Sequence, residues 1–116
     1  LNADFSLKCD QKIFFAGQMT GVEGYVESAA SGLMCALHMD RKLKGLAPVV
    51  PDNTCVLGAL SAHISGANAN FTPMNANFGI LRASEEKIRD KKERYKYLAE
   101  RSLRYIAGYK QSLNKD

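Results

Sequence analysis

The 116-residue sequence contains no apolar run of the roughly 18 to 20 residues that a membrane-spanning helix needs. Its first ten residues also lack the basic start and apolar stretch of a signal peptide. Cysteine is scarce: Cys9, Cys35 and Cys55 are odd in number and widely spaced, and they form no CxxC or Cys/His pattern typical of zinc sites. We therefore expect a cytoplasmic protein without a membrane partner or a bound metal, whose cysteines are reduced and structural.

The overall composition is that of an ordinary folded domain. Hydrophobic residues make up 46% and charged residues 24% of the chain, which excludes a disordered tail, a collagen-like chain and a disulfide scaffold. Positive charge is concentrated in the last third. Residues 1–81 carry five basic and six acidic side chains, whereas residues 82–116 carry eleven basic and six acidic ones. The sequence therefore predicts an electropositive C-terminal segment.

The first part of the chain has the pattern of a strand, a turn and a helix. The apolar run from Ile13 to Ala16 stops at Gly17 and predicts a short buried strand over residues 12–17. Thr20 and Glu23 have the T-x-x-E spacing of a capping box, which predicts a helix from about 21 to 44. Apolar residues at helical spacing predict its buried side: Val26, Ala29, Ala30, Leu33, Leu37 and, as a further candidate, Met34.

The second part is predicted to be helical. Residues 52–54 offer N-caps for a helix over 54–65 that ends at Gly66. Residues 67–82 have the composition of a long ordered loop, rich in asparagine and anchored by Phe71, Met74, Phe78 and Ile80. Ser84 is a good N-cap for a long basic helix over 84–112. The predicted buried stripe of that helix is Ile88, Tyr95, Leu98, Ser102, Tyr105, Ile106, Tyr109 and Leu113. The fold class is thus an α/β fragment that is mainly α by residue count.

The turn between the predicted strand and helix has two possible interpretations. Its glycines at 17, 21 and 24 do not form a G-x-G-x-x-G fingerprint, so a first pyrophosphate-binding turn is not indicated. A tight structural turn is one interpretation. The other is a helix N-terminus that stabilises negative charge, such as the pyrimidine edge of a reduced flavin.

Three segments resemble, in the same order, signatures of the folate- and FAD-dependent tRNA (uracil-5-)-methyltransferase family. They are IFFAGQMTGVEGYVESAASG at 13–32, PMNANFG at 73–79 and EEKIRDKKER at 85–94. The resemblance covers most of the chain. The related tRNA wobble-uridine enzymes also have a phenylalanine-rich strand and a Gly-Gln turn, but they differ in the residues that follow, so they rank second. A family branch that modifies ribosomal RNA is a further alternative.

The resemblance implies the C-terminal part of a FAD-binding, Rossmann-like fold. Residues 1–45 would be the last strand–turn–helix of the FAD-binding domain and residues 46–116 a helical extension. The complete enzyme would form 5-methyluridine in the tRNA T-loop, with methylenetetrahydrofolate as carbon donor, reduced FAD as hydride donor and NAD(P)H as reductant of the flavin. Positions implied to contact the flavin are Gly17, Gln18, Met19, Thr20, Gly21, Val22 and Glu23. No catalytic residue is implied, and the fragment alone is expected to be inactive.

The basic final helix is either a solvated face or a surface that contacts RNA phosphates. The resemblance favours RNA, with Arg89, Lys92, Arg94 and Lys96 as contacts. The expected partners are then tRNA and the remaining N-terminal segments of the same protein. Two other functional classes stay open: a stand-alone helical RNA-binding module, and an interaction domain that uses the apolar stripe. Asn77 is expected to form a turn, while Asn75 could do so or present its amide to flavin or folate.

Overall fold

The computed structural model describes residues 1–66 and 72–113, and three α-helices dominate it. They are α1 (Tyr25–Leu43), α2 (Val56–Ser65) and α3 (Lys91–Leu113). Short 3₁₀ turns cover Gln18–Thr20 and Phe78–Ile80. The prediction of a mainly helical fragment is confirmed. Within the described ranges, no helix is long and apolar enough to cross a membrane. The predicted loop anchor Phe71 lies outside the described residues.

The prediction of a strand over residues 12–17 is wrong. Phe14 forms one isolated antiparallel bridge with Ser6, held by bonds from Leu7 N–H to Ile13 O (2.8 Å) and from Phe15 N–H to Phe5 O (3.1 Å). A strand exists only as one member of a ladder, and here only the short segment 5–7 pairs with it. Because the described residues contain isolated bridges instead of a sheet, the Rossmann-like part of the fold class stays a prediction.

Helix α1 begins at Tyr25, four residues later than predicted, and the capping box is wrong. Its N-cap is Gly24, which makes no side-chain cap hydrogen bond. The Thr20 hydroxyl instead donates to Gly17 O (2.7 Å). The cause is Gly21: its φ of 110° ends the preceding 3₁₀ turn and redirects the chain before the helix starts.

The buried side of α1 also differs from the predicted one. It consists of Ser31, Met34, Cys35, His38 and Arg41, so only Met34 of the predicted set is fully buried. Val26 and Leu33 are 80% and 58% exposed. Apolar residues lie on both sides of this helix, so periodicity alone does not select the side that faces this core.

Helix α2 confirms the predicted element and its end at Gly66. Its N-cap, however, is Cys55, whose sulfur accepts a hydrogen bond from Gly58 N–H at 3.4 Å. The Asp52 carboxylate instead accepts from Thr54 N–H, before the helix begins. Both cysteines in the core, Cys35 and Cys55, are free thiols, as is the exposed Cys9. Burial raises the pKa of Cys35 and Cys55, which suits structural thiols.

Helix α3 starts at Lys91 because Asp90, not Ser84, supplies the cap: its carboxylate accepts from Glu93 N–H at 3.2 Å. Ser84 donates to Glu86 O instead. The predicted stripe is confirmed within the helix, where its residues are partly buried and Leu98 and Tyr109 are fully buried, but Ile88 lies before α3. The main core joins the three helices to the N-terminal turns through Phe5, Val22, Met34, Cys35, Leu60, Ile64 and Tyr109.

Candidate functional site

The turn over residues 17–24 is fixed by its glycines and by α1. Gly17, Gly21 and Gly24 have φ of +87°, +110° and +108°, a region that favours glycine. Gly17 N–H donates to the Ser31 hydroxyl at 2.7 Å, and this hydroxyl in turn donates to Ser28 O. The first of the three sequence signatures is therefore a defined loop anchored on the helix that follows it.

The second signature docks directly on the first. Val22 and Met74 form a parallel bridge, in which Glu23 N–H donates to Met74 O (3.0 Å) and Met74 N–H donates to Gly21 O (2.9 Å). The Asn75 amide adds a bond to Glu23 O at 2.7 Å. Two motifs about fifty residues apart in sequence thus form one surface, which sequence reasoning did not predict.

Glu27 completes the contact from the first turn of α1. Its carboxylate accepts from Ala76 N–H at 3.0 Å, and this bond is the main reason that the pKa of Glu27 is lowered. The prediction that Asn77 forms a turn is confirmed, since its side chain accepts from Gly79 N–H at 2.8 Å. Asn75, which had two candidate roles, holds the two motifs together.

The implied flavin-contacting residues divide into two groups. Gln18, Met19 and Glu23 are exposed, and Gly17 is half-buried. Thr20, Gly21 and Val22 are buried, and Val22 belongs to the main core. Beside the turn lies an open apolar groove of about 480 Å³, whose lining includes Leu7, Phe15, Met19, Thr20 and Ile64.

The start of α1 lies at the surface beside the turn, with the Glu27 carboxylate close to it, 2.3 Å from where a Cβ of Gly24 would be. Gly24 provides no side-chain cap, and the amides of the first helical turn have no acceptor within the helix. Tyr25 and Val26, which carry two of these amides, are 98% and 80% exposed. An anion that approached here would meet the positive end of the helix dipole.

The predicted RNA-contacting residues do not share one face. Lys92 and Lys96 are exposed and lie one turn apart on α3, while Arg89 precedes the helix. Arg94 instead lies 5.6 Å from the centre of the Tyr95 ring. That ring directly follows the third signature and stacks on Phe78 at 4.3 Å, so the second signature contacts the first turn of α3.

Arg101 is a basic residue of α3 outside the predicted apolar stripe, yet it is buried and has a structural role. Its guanidinium donates to Ala83 O at 2.9 Å and to Arg82 O, and it approaches Glu85 at 3.5 Å. The Tyr97 hydroxyl also donates to Glu85, which lowers the pKa of Glu85 and raises that of Tyr97. Arg101 therefore ties the segment before α3 to the helix, and periodicity gave no signal for this.

The chain is similar to known proteins both in its first part and along nearly its whole length. Residues 1–47 match the family model of glucose inhibited division protein A. The chain is 49% identical, over 97% of its length, to the methylenetetrahydrofolate--tRNA-(uracil-5-)-methyltransferase TrmFO of Staphylococcus carnosus (strain TM300). Across nearly its whole length the chain is therefore similar to this methyltransferase. Similar methyltransferases of this name from Staphylococcus epidermidis (strain ATCC 12228) and Staphylococcus saprophyticus are 48% and 47% identical over the same share of the chain.

The match to these relatives covers nearly all of this chain but only part of theirs. The chain spans 26% of the length of each of these three relatives and corresponds to a C-terminal-type fragment of them. The match to the relatives extends across all three signatures, whereas the family model covers only the first.

Proposed function

We propose that this chain is the flavin-contacting C-terminal part of an enzyme that methylates uridine C5 in the tRNA T-loop. Methylenetetrahydrofolate would supply the carbon, and FAD reduced by NAD(P)H would supply the hydride. The observation that carries the proposal is the 49% identity, sustained over 97% of the chain, to a protein named as a folate-dependent tRNA uracil methyltransferase. The boundary at residue 45 between a FAD-binding part and a helical extension belongs to this proposal.

The geometry of the turn supports a role for its backbone. The exposed side of Gly17, Gln18, Met19 and Glu23 would face the flavin, and the start of α1 would hold the negative charge that develops on the reduced ring. The buried residues Thr20, Gly21 and Val22 would act by fixing the shape of the turn. Bound FAD would contribute the hydride chemistry, while this chain would orient the ring and stabilise its charge.

The 116-residue chain by itself would be inactive and would bind FAD weakly. Its sequence has no G-x-G-x-x-G fingerprint, so the pyrophosphate and adenine contacts would come from other segments of the polypeptide. A fluorescence titration tests this point. Stoichiometric binding of FAD by the chain alone, at micromolar concentration, would contradict it.

Gln18→Glu in the full-length polypeptide tests the flavin role of the turn. Because a carboxylate would then face the developing negative charge, the reduction potential of the flavin should fall and methylation should slow. Gln11→Glu is the matched control, since it makes the same change at an exposed position outside the turn. Equal potentials in the two variants would refute the flavin role.

The RNA role of α3 rests on Lys92 and Lys96, with Arg94 and Arg89 beside them. Lys92→Gln combined with Lys96→Gln should weaken tRNA binding and make its salt dependence shallower, because fewer phosphates are neutralised. Lys110→Gln is the control, since this exposed lysine lies on the same helix roughly 20 Å away at 1.5 Å per residue.

The RNA that becomes methylated distinguishes the alternatives. If the full-length polypeptide transfers the one-carbon unit to ribosomal RNA, or modifies a wobble uridine, the proposed T-loop substrate is wrong. If the charge variants bind tRNA as tightly as the wild-type protein, the basic face of α3 is only solvated.

A further inference from the structure

Two stacked aromatic rings lie where the second signature contacts the first turn of α3. The ring centres of Phe78 and Tyr95 are 4.3 Å apart, and the ring planes are 13° from parallel. Tyr95 therefore covers one side of Phe78, and the stack holds both rings in place. Phe78 still exposes 36% of its surface. The pair thus presents a flat aromatic surface to the solvent.

The two rings line an open groove of about 380 Å³ together with Val56, Ala76 and Asn77. This volume lies within the range of about 300–1,000 Å³ that is typical of small-ligand sites. The groove is also close to the turn over residues 17–24, because the N–H of Ala76 donates to the Glu27 carboxylate at 3.0 Å. A group bound in the groove would therefore lie beside the surface that is proposed to face the flavin.

Cationic side chains lie at the same rings. Lys91 Nζ is 5.5 Å and Arg94 Cζ is 5.6 Å from the centre of the Tyr95 ring, within the roughly 6 Å at which an aromatic ring attracts a cation. The exposed Lys92 and Lys96 lie on the same helix. A neutral apolar ligand or peptide would gain nothing from this charge. A polyanion that carries aromatic groups would use both the rings and the cations.

We propose that this groove binds one unpaired base of a single-stranded RNA segment. The base stacks on the exposed part of the Phe78 ring, and Lys91 and Arg94 contact the phosphates beside it. Aromatic side chains within a positively charged groove are a common means by which proteins bind single-stranded nucleic acid. A duplex does not fit, because its bases are stacked on one another and cannot reach the ring. The inference rests on the proposed RNA role of α3, and it adds the form of the RNA and the ring that recognises it.

Fluorescence anisotropy with the full-length polypeptide and two labelled strands tests the stacking. One strand is oligouridylate of about ten nucleotides, and the other has the same number of phosphates but only abasic units. Phe78→Leu should weaken binding of oligouridylate by about 5- to 100-fold, the effect of losing one stacked base, and binding of the abasic strand by less than about twofold. Phe78→Tyr keeps a ring and is the matched control, so it should bind both strands as the wild type does. Tyr95→Leu removes the ring that holds Phe78 in place and should repeat the selective loss.

Lys91→Gln separates charge from stacking. It should weaken the binding of both strands to the same extent and make the salt dependence shallower, because one phosphate contact is lost. Phe78→Leu should leave the salt dependence unchanged. If Phe78→Leu loses both strands equally, the ring only supports the fold, and if it keeps oligouridylate, no base stacks there. Either result would overturn the proposal.

Maleimide labelling of Ala76→Cys shows what occupies the groove, since this exposed position lines it. Incorporation is read by mass spectrometry for the peptide that contains position 76. Reaction should be rapid in the free polypeptide and about tenfold slower at an oligouridylate concentration of about ten times Kd, because occupied sites are protected. Slow reaction without RNA would show that another segment or a second copy fills the groove. Protection by tetrahydrofolate alone would assign it to a small aromatic anion, and each of these two results would overturn the proposal.

The wild-type protein separates this inference from the proposed function. Equal binding of oligouridylate and the abasic strand would leave the RNA role of α3 intact and refute only the stacking. Binding of neither strand would refute both. Methylation is not measured in these assays, so failure of the proposed activity would leave their result unaffected.

Discussion

Gly24→Ala should separate the turn from the loop that docks on it. Gly24 has φ 108° and ψ 158°, a conformation nearly restricted to glycine that costs other residues about 1–3 kcal/mol. The added Cβ would lie 2.3 Å from the Glu27 carboxylate and 3.0 Å from the Asn75 amide. Glu27 is flexible and can move away, but it then gives up its bond from Ala76 N–H. We therefore expect backbone strain together with loss of the contact between the two motifs.

Gly32→Ala is the matched control for this variant. Gly32 lies inside α1 with open space at its Cβ position, so alanine should stabilise the helix by about 0.5–1 kcal/mol. The free energies of unfolding of the two variants should therefore differ by about 2–4 kcal/mol. Urea denaturation of the 116-residue chain measures this difference, and hydrogen exchange at Ala76 reports the lost contact. If the two variants unfold at the same urea concentration, or if Ala76 stays protected in Gly24→Ala, the docking geometry is wrong.

Three further predictions concern the core. Burial lowers the pKa of His38 below its ordinary value of 6.5, because it disfavours the charged ring. The folded state is therefore most stable above pH 6.5, where the ring is neutral, and it loses stability as the pH falls below 6.5. His38→Met should flatten this dependence in urea titrations at pH 7.5 and 5, because neither ring nitrogen has a hydrogen-bond partner in the part of the chain that the structure describes. Gly58→Ala should destabilise the chain by about 3 kcal/mol or more, since its Cβ would lie 1.8 Å from Asp52 O; a thermal midpoint equal to that of wild type would contradict this. Arg101→Met should cost about 3 kcal/mol, because two backbone carbonyls lose a charged donor; unchanged denaturant stability would show that these bonds are dispensable.

The number and approximate positions of the helices could be predicted from the sequence alone. Helical spacing, the stop at Gly66 and the apolar stripe of α3 are local properties, and the structure agrees with each of them. The resemblance to the family could also be recognised from the sequence, because its signatures are short continuous segments. The predicted helix starts were less accurate. Thr20 and Ser84 are residue types that often cap helices, but their hydroxyls here donate to the backbone carbonyls of Gly17 and Glu86. A cap depends on the direction of the preceding chain, and at Thr20 that direction is set by the positive φ of Gly21.

The surfaces that contact one another could not be predicted from the sequence, because they depend on the complete fold. The bridge between Val22 and Met74 joins two motifs across about fifty residues, and no local pattern encodes such a pairing. The same holds for Arg101, whose spacing suits a solvated face but whose guanidinium is needed by two backbone carbonyls. For α1 the sequence specified an apolar helix without specifying which side meets this core. With apolar residues on both sides, the choice depends on the neighbours available for packing, which are a property of the folded chain.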